Sequence, residues 1–461
     1  MQALNLSELI GALSYALDIT EGQPEGHCIR CCWIGMHIGH KLNLPKDQLW
    51  ELYYTLLLKD LGCSSNASRI CELYLTDDLA FKRDFKWVDG SLPQVLRFVL
   101  RHTGPGAGLM DRLKAMGGIL TNGDEIANEL TKSRCTRGAD IARQLRFSEG
   151  VAQGIHSLDE HWNGHGRPEG LAGQQIALYS RIALLAQVVD ILNSSGGQAA
   201  AEAEVQQRSG NWFDPEVVAA FLAIAHDARF WHTLNGTDLE THVFAMEPGG
   251  HESELDEDYL DDIAEAFGQV VDAKSPYTAG HSARVGLYTA LLGESMEIAE
   301  SRRRWLKRGA LLHDVGKLGV SNTILDKPGK LDEGEWAVMR KHPVHTESIL
   351  GRIKNFDELA RVSAAHHERL DGGGYPRGLK AHDIALETRI ITTADIFDAI
   401  TAERPYRGAV PVPKTLAIMA DSVGTAIDAR CFEHLQQLIK RSPELFPGQV
   451  LSKRRIGNST A

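Results

Sequence analysis

The sequence lacks any long apolar run, since nowhere in its 461 positions do 18 or more apolar residues follow one another. A helix that spans a bilayer needs roughly 20 such residues, so we expect no membrane-spanning segment. The first twenty residues also lack the basic stretch that opens a secretory signal, and they resemble an ordinary amphipathic helix. These absences predict a cytoplasmic protein without a membrane partner.

Cysteine and positive charge are both in short supply. The seven cysteines are an odd number scattered unevenly along the chain, which argues against a disulfide framework and for reduced thiols. The 49 Lys and Arg residues against 61 Asp and Glu residues give a formal net charge of −12. This balance argues against a protein that binds a nucleic-acid polymer. A small anionic substrate stays compatible with it, because bound metal ions supply a local positive site.

Strand-like alternation of apolar and polar residues is scarce as well, whereas helical spacing recurs. Apolar residues fall at helical spacing in 258–272 and again in 384–400. We therefore predict an all-α fold. Because 461 residues exceed what one hydrophobic core usually supports, two or more domains are expected.

A weak internal repeat indicates that two copies of one fold make up the chain. Residues 159–182 align with residues 367–390 at a constant offset of 208, and LLLKDLG (56–62) aligns with ALLHDVG (310–316) at an offset of 254. Between them, EPGGHESELDED (247–258) has the composition of a linker. The predicted limits are 1–245 for the first copy, 246–256 for the linker, 257–445 for the second copy and 446–461 for a flexible tail.

The second copy carries histidine and aspartate residues at regular intervals. A His-Asp pair is a weak signal, because the chain contains three, but His313-Asp314 closes an apolar helical stretch and is followed by Lys317. The further candidates are spaced by about one helix-loop-helix unit: His281, His342, His366, His367 and Asp395. In helical bundles, each such unit can project a ligand into one centre. Imidazoles with carboxylates and no thiolate suit Fe, Mn or Zn.

Four motifs in this copy carry a family resemblance. They are HDVGKLGV (313–320), KHP (341–343), HHERLDGGGYP (366–376) and ADIFDAITAERPYR (394–407). They resemble the HD-GYP family of bacterial phosphodiesterases over most of 256–445. The resemblance implies an all-α domain with a two- or three-metal centre that hydrolyses the cyclic dinucleotide cyclic di-GMP or, in some members, cyclic GMP-AMP. It also suggests that the GYP loop is a docking point for diguanylate cyclase domains.

The resemblance assigns roles to residues of this sequence. One metal ion is expected on His281, His313, Asp314 and Asp395, and Asp314 would bridge to a second ion on His342, His366 and His367. Family members with a third ion have Glu where this sequence has Tyr277, so we expect two divalent transition-metal ions, Fe or Mn. Asp314 and Lys317 are the catalytic candidates. The candidates for substrate contact are Lys317, Tyr375, Arg377, Arg404 and Arg407.

In the first copy the metal site is predicted to be lost. The repeat aligns Lys59 with His313, Leu158 with His366, Asp159 with His367, Gln187 with Asp395 and, less securely, Cys135 with His342. Only His27 and Asp60 remain, and an ammonium at Lys59 could replace the charge of a metal beside Asp60. We expect a regulatory or dimerising domain, and a homodimer.

Alternatives stay open for both copies. The second copy could be an HD-superfamily hydrolase of another nucleotide, such as guanosine tetraphosphate, although a one-metal site would not need His342, His366 and His367. It could also be a non-catalytic module that binds a nucleotide and signals. In the first copy, four side chains could converge as a zinc site, or the cysteines could simply fill a helical interior; the four are His27, Cys31, Cys63 and Cys135.

Overall fold

A computed structural model describes residues 4–88, 92–249, 255–405 and 407–447 of the chain. Within these residues the chain forms helices, turns and isolated β-bridges, and it contains no strand. The all-α prediction is therefore confirmed. No helix in the described ranges is both long and apolar enough to cross a membrane. Most of the predicted tail, from 448 on, lies outside the described residues.

The chain divides into two compact units. Unit 1 comprises Met1–Ala266 with Ser321–Thr323, and unit 2 comprises Phe267–Val320 with Ile324–Ala461. The division falls inside the helix Glu257–Asp272. The domain limits drawn from the sequence lie earlier in the chain and stay a prediction.

Unit 1 contains the helices of the first copy. Their bounds are α1 (Leu6–Thr20), α2 (His27–Lys41), α3 (Lys46–Leu58), α4 (Ala67–Tyr74), α5 (Asp78–Phe85), α6 (Leu92–His102), α7 (Leu109–Gln144), α8 (Glu149–His156), α9 (Leu178–Gln207), α10 (Pro215–Ala225), α11 (Ala228–Leu234) and α12 (Leu239–Ala245). Helices α7 and α9 are kinked at Asn122 and Gly197, where the backbone leaves helical geometry. The helix α13 (Glu257–Asp272) follows and crosses into unit 2.

Unit 2 contains the helices of the second copy. Their bounds are α14 (His281–Ser295), α15 (Glu300–Leu312), α16 (Asn322–Leu325, whose first two residues belong to unit 1), α17 (Glu333–Met339), α18 (His342–Leu350), α19 (Asp357–Ala364), α20 (Leu386–Thr401), α21 (Val412–Ala420) and α22 (Ala429–Arg441). Helices α13 and α20 confirm the two segments of helical spacing in the sequence. The core of unit 2 gathers buried residues of α14, α15, α20 and α22, with Tyr288 packed edge-on against Phe397 at 5.2 Å between ring centroids.

A glycine controls a close backbone approach in each copy. A Cβ at Gly316, in the turn after His313-Asp314, would lie 2.0 Å from the carbonyl oxygen of His342. Only a residue without a side chain fits there, so the turn after α15 lies directly against the start of α18. In the first copy, a Cβ at Gly62 would lie 1.9 Å from the carbonyl oxygen of Arg134. The same packing therefore occurs in both copies, and it places Arg134 where the second copy has His342.

Candidate metal centre

Helix ends bring the predicted ligands of the second copy together. His281 is the first residue of α14, His342 is the first residue of α18, and His313-Asp314 directly follows α15. His366-His367 comes just after α19, and Asp395 lies within α20. All of these side chains are buried except His367, which is partly exposed. Four helix ends and the interior of α20 therefore contribute side chains to one centre.

The two carboxylate oxygens of Asp314 face two different groups of histidines. The Oδ2 atom lies 3.3 Å from Nε2 of His313 and 3.4 Å from Nε2 of His281. The Oδ1 atom lies 3.5 Å from Nε2 of His342 and 3.6 Å from Nε2 of His366. Asp395 joins the first group, since its Oδ1 lies 3.4 Å from His281 Nε2. Three overlapping donor sets have their atoms within 4.8 Å of one another: His281, His313 and Asp395; His313, Asp314 and His366; and His342, His366 and His367.

Hydrogen bonds at Nδ1 hold the histidines in one tautomer. The Nδ1 atoms of His313, His342 and His366 lie 2.6 to 2.7 Å from the carbonyl oxygens of Ala310, Met339 and Ser363. A carbonyl oxygen only accepts, so Nδ1 donates and the lone pair is on Nε2. The Nδ1 of His281 donates in the same way to Asp398 at 2.8 Å. Fixing Nδ1 in this manner orients an imidazole for binding a metal ion through Nε2.

The donor atoms fit a divalent ion. Among the described residues, the Nε2 atoms of His281 and His313 and the Oδ1 atom of Asp314 are buried without a hydrogen-bond partner. An unpaired buried polar atom costs free energy, and such atoms at one centre indicate a ligand. Because the donors are imidazole nitrogens and carboxylate oxygens, the set suits Fe, Mn or Zn and not a soft ion.

Burial and neighbouring charges lower the pKa of some histidines of the centre and raise the pKa of another. Burial lowers the pKa of His366 to about 4 and holds the pKa of His342 and His367 well below the usual range. These three imidazoles are therefore neutral at pH 7, the form that binds metal ions. Burial acts against protonation of His281 too, but the neighbouring carboxylates of Asp314, Asp398 and Asp395 outweigh it and raise its pKa to about 9. The carboxylates around His281 thus create a site that favours a positive charge.

Sequence reasoning missed Asp398 and Arg284. Asp398 accepts from His281 Nδ1, and Arg284 donates to the same carboxylate from Nε at 2.6 Å and from Nη2 at 3.0 Å. The first copy keeps the same trio, because Asp190 contacts His27 Nδ1 at 2.6 Å and Arg30 Nε at 2.6 Å. The signal was in the sequence, since the repeat offsets of 254 and 208 place Arg30 on Arg284 and Asp190 on Asp398.

The replacement Asp398→Asn is expected to weaken metal binding about 10- to 100-fold, the usual effect of losing a carboxylate that orients a metal-binding histidine. The amide keeps the shape but loses the negative charge that orients His281 and makes its Nε2 atom a stronger metal ligand. Titration of the metal-free protein with Mn²⁺ measures the change. Asp383→Asn, at an exposed aspartate, is the control. An unchanged affinity in Asp398→Asn would contradict the orienting role.

The predicted substrate contacts have different surroundings. Lys317 donates from Nζ to Asp314 Oδ2 at 2.5 Å, so its ammonium lies at the centre. The Tyr375 ring lies 4.8 Å from the His367 ring between centroids. Arg377 pairs with Glu347, while Arg404 and Arg407 donate to the carbonyl oxygen of Ala399 at 3.5 and 2.8 Å. The contacts of these three arginines with phosphate stay a prediction.

Glu368 organises the glycine-rich loop that carries Tyr375. Its carboxylate accepts from the backbone N–H groups of Arg377 at 2.7 Å and Leu379 at 2.8 Å. A Cβ at Gly374 would lie 2.4 Å from the backbone nitrogen of Arg369, so the loop folds back closely on the segment after His367. Glu160 binds the corresponding loop of the first copy through three backbone N–H groups.

In the first copy, Lys59 lies where the second copy has His313. Its ammonium contacts Asp60 Oδ2 and lies 3.1 Å from His27 Nε2, while His27 Nδ1 is held by Asp190. The lone pair that His281 presents in the second copy thus meets an ammonium here. Burial disfavours the charged amine, but Asp60 outweighs burial and raises the pKa of Lys59 well above its usual value. Lys59 supplies a positive charge beside Asp60.

The alignment of His342 with Cys135 was wrong by one residue. Arg134 is the true counterpart, because its carbonyl oxygen makes the contact with Gly62 that His342 makes with Gly316. The Arg134 guanidinium pairs with Asp159, the counterpart of His367. A second cation therefore stands in the first copy where the second copy has histidines. The offset of 208 that aligns residues 159–182 with residues 367–390 also places Arg134 on His342, so the sequence contained this signal.

Of the two alternatives for the cysteines of the first copy, the zinc site was wrong, because its four side chains do not converge. Among the described residues, His27 and Cys31 cluster with Asp190, whereas Cys63 clusters with Glu21 and Asp60. Cys135 instead contacts Asp159, at 3.8 Å. Burial raises the pKa of the Cys31, Cys63 and Cys135 thiols, which keeps them protonated. These cysteines fill the interior as small apolar side chains.

Comparison with known proteins agrees with this geometry. The model of a family described as "HD domain" matches residues 120–217 and 265–431, one segment in each copy. The chain belongs to the HD domain family. The HD-GYP resemblance is confirmed by a relative that matches nearly the whole chain, the 3′3′-cGAMP-specific phosphodiesterase 3 of Vibrio cholerae, which is 55% identical over 95% of both chains. As an HD domain protein with two tandem copies, the chain has one copy with a complete donor set and one without.

One further relative and one solved structure match different shares of this HD domain protein. The cyclic di-GMP phosphodiesterase response regulator RpfG of Xanthomonas campestris pv. campestris is 35% identical over 37% of this chain and 45% of its own length. A crystal structure of a cyclic GMP-AMP specific phosphodiesterase of V. cholerae covers 96% of this chain and 99% of that one, with 50% identity and a TM-score of 0.65. The second likeness extends over both copies, so the tandem arrangement of HD domains is shared.

Proposed function

We propose that this chain is a metal-dependent phosphodiesterase that hydrolyses the cyclic dinucleotide 3′3′-cGAMP at the centre in unit 2. The observation that carries the proposal is Asp314, whose two oxygens face two groups of histidines in a buried donor set. The choice of substrate is supported by the V. cholerae relative that matches nearly the whole chain and is specific for 3′3′-cGAMP.

Two ions fit the proposal. His281, His313, Asp314 and Asp395 would hold one, and Asp314 with His342, His366 and His367 would hold the other. Fe or Mn suits these imidazole and carboxylate donors. Tyr277 lies in the short turn Pro276–Thr278 before α14, where a carboxylate for a third ion would be expected.

Elemental analysis of protein purified without oxygen is expected to give about two transition-metal ions per chain.

The proposed reaction would use both the bound ions and a lysine side chain of the chain. Bound divalent ions would supply positive charge to the phosphoryl oxygens and lower the pKa of a water molecule to near neutrality. Attack by water on phosphorus breaks the bond to the ribose oxygen, which must gain a proton. Lys317, held 2.5 Å from Asp314 Oδ2, is placed to bind a phosphate oxygen or to give that proton. The bases bind outside the buried centre.

Product analysis tests the proposal. The Mn- or Fe-loaded protein is incubated with 3′3′-cGAMP, cyclic di-GMP, cyclic di-AMP and guanosine tetraphosphate, and products are identified by mass spectrometry. We expect linear dinucleotide, or mononucleotides formed from it, with 3′3′-cGAMP consumed fastest. Intact cyclic dinucleotides after full metal loading would contradict the proposal, and cleavage of the tetraphosphate alone would favour the alternative nucleotide hydrolase.

Further proposals concern the partners, the location and the role of the first copy. A homodimer, cytoplasmic location and docking of diguanylate cyclase domains on the Gly372–Pro376 loop remain predictions, and the first copy is proposed to be a regulatory domain. Sedimentation of the full chain tests the dimer.

A further inference from the structure

A row of stacked groups leads outward from the metal centre. His367 belongs to the donor set, and its ring lies 4.8 Å from the ring of Tyr375, with the planes 32° apart. The guanidinium carbon of Arg340 lies 5.8 Å from the centroid of the Tyr375 ring. The same guanidinium lies 5.6 Å from the centroid of the Trp336 ring. Both distances are within reach of a cation–π interaction, so Arg340 joins the two rings.

The outer end of the row is a tryptophan that the fold does not bury. Trp336 is 41% exposed and lies on α17, where its distance of four residues from Arg340 puts the two side chains on one helix face. Tryptophan is highly buried on average. The exposed part of the Trp336 ring, which lies beside the Arg340 guanidinium, therefore does not contribute to the core. The row therefore offers an aromatic face and a planar cation beside the centre that is proposed to bind the phosphate.

We propose that Trp336 and Arg340 form a platform that stacks on one purine base of the substrate. The inference rests on the proposed function, since it supplies the base contact which the phosphate site cannot. A nucleotide whose phosphate sits beside Asp314 must place its base outside the buried donor set. Aromatic rings stack on any base face, and an arginine adds a cation–π contribution. Tyr375 acts as a positioning residue that holds Arg340 near the ligands.

Kinetics with two kinds of substrate test the platform. One is 3′3′-cGAMP or, if it is the better substrate, cyclic di-GMP; the other is methyl p-nitrophenyl phosphate, a phosphodiester without a base. Trp336→Ala is expected to raise KM for the cyclic dinucleotide about 5- to 150-fold, the range for loss of one stacked base, with little change in kcat. Its activity on methyl p-nitrophenyl phosphate is expected to stay at the wild-type level.

Conservative and neighbouring variants serve as controls. Trp336→Phe keeps a ring and is expected to recover most of the affinity, and Arg340→Met is expected to raise KM in the same direction as Trp336→Ala. Val338→Ala, also exposed on α17, removes apolar surface from the same helix outside the row, so wild-type kinetics are expected.

The outcomes separate the platform from the proposed function. Equal losses on both substrates in Trp336→Ala and Trp336→Phe would mean a structural role and overturn the platform, as would an unchanged KM. If the wild-type protein cleaves methyl p-nitrophenyl phosphate but neither cyclic dinucleotide, the proposed function fails, and the platform fails with it. A cyclic dinucleotide cleaved normally by the Trp336 variants would overturn the platform alone.

Discussion

Asp314→Asn is expected to lower the rate of cyclic dinucleotide hydrolysis by about a thousandfold or more, and to reduce the bound metal by at least one ion per chain. The amide preserves shape and burial but removes the charge that faces both groups of histidines. Hydrolysis is followed by chromatography of the products, and the metal content by elemental analysis of the same sample.

The chain contains a matched control for this variant. His382-Asp383 is another His-Asp pair, but both side chains are exposed. Asp383→Asn is expected to keep wild-type activity and metal content. Full turnover in Asp314→Asn would refute the role of Asp314, whereas equal loss in both variants would indicate general damage to the protein.

Lys59→Met is expected to destabilise the first copy by about 3–5 kcal/mol, the cost of leaving a buried charge without its partner. Methionine fills a similar volume, but Asp60 and the Nε2 atom of His27 lose the ammonium that contacts them. Hydrogen exchange of the full chain, followed by mass spectrometry, is expected to show faster exchange in α2 and α3, with little change in α20.

A double variant separates the effect of the unpaired charge from the effect of packing. Lys59→Met with Asp60→Asn removes both members of the pair, so we expect it to recover much of the stability that Lys59→Met loses. Unchanged exchange in Lys59→Met would contradict the role of Lys59 as an internal cation. Failure of the double variant to recover would place the effect in packing and not in charge.

Much of the site was predictable because its motifs are local. The His313-Asp314 pair, the His366-His367 pair and the glycine-rich loop are each contiguous, and the repeat showed which positions the first copy had lost. Asp398 was overlooked because it is not itself one of the predicted metal ligands. It acts through His281, which is 117 residues away in the sequence.

Trp336 and Arg340 illustrate a different limit. Their spacing of four residues predicts a shared helix face. Nothing in the sequence indicates that this face meets Tyr375, because that contact joins α17 to a loop 35 residues further along. The loop conformation depends on Glu368 and on the close approach at Gly374.

By itself, the sequence determined the all-α class and the tandem repeat, and it predicted the donor residues and the loss of the site in the first copy, because helical periodicity and contiguous motifs are local properties of a chain. Only the tertiary structure decided that Asp314 turns one oxygen to each group of histidines. It also decided that Lys59 lies against His27 Nε2. Each of these depends on side chains from distant helices meeting within a few ångströms, and packing between helices sets that distance.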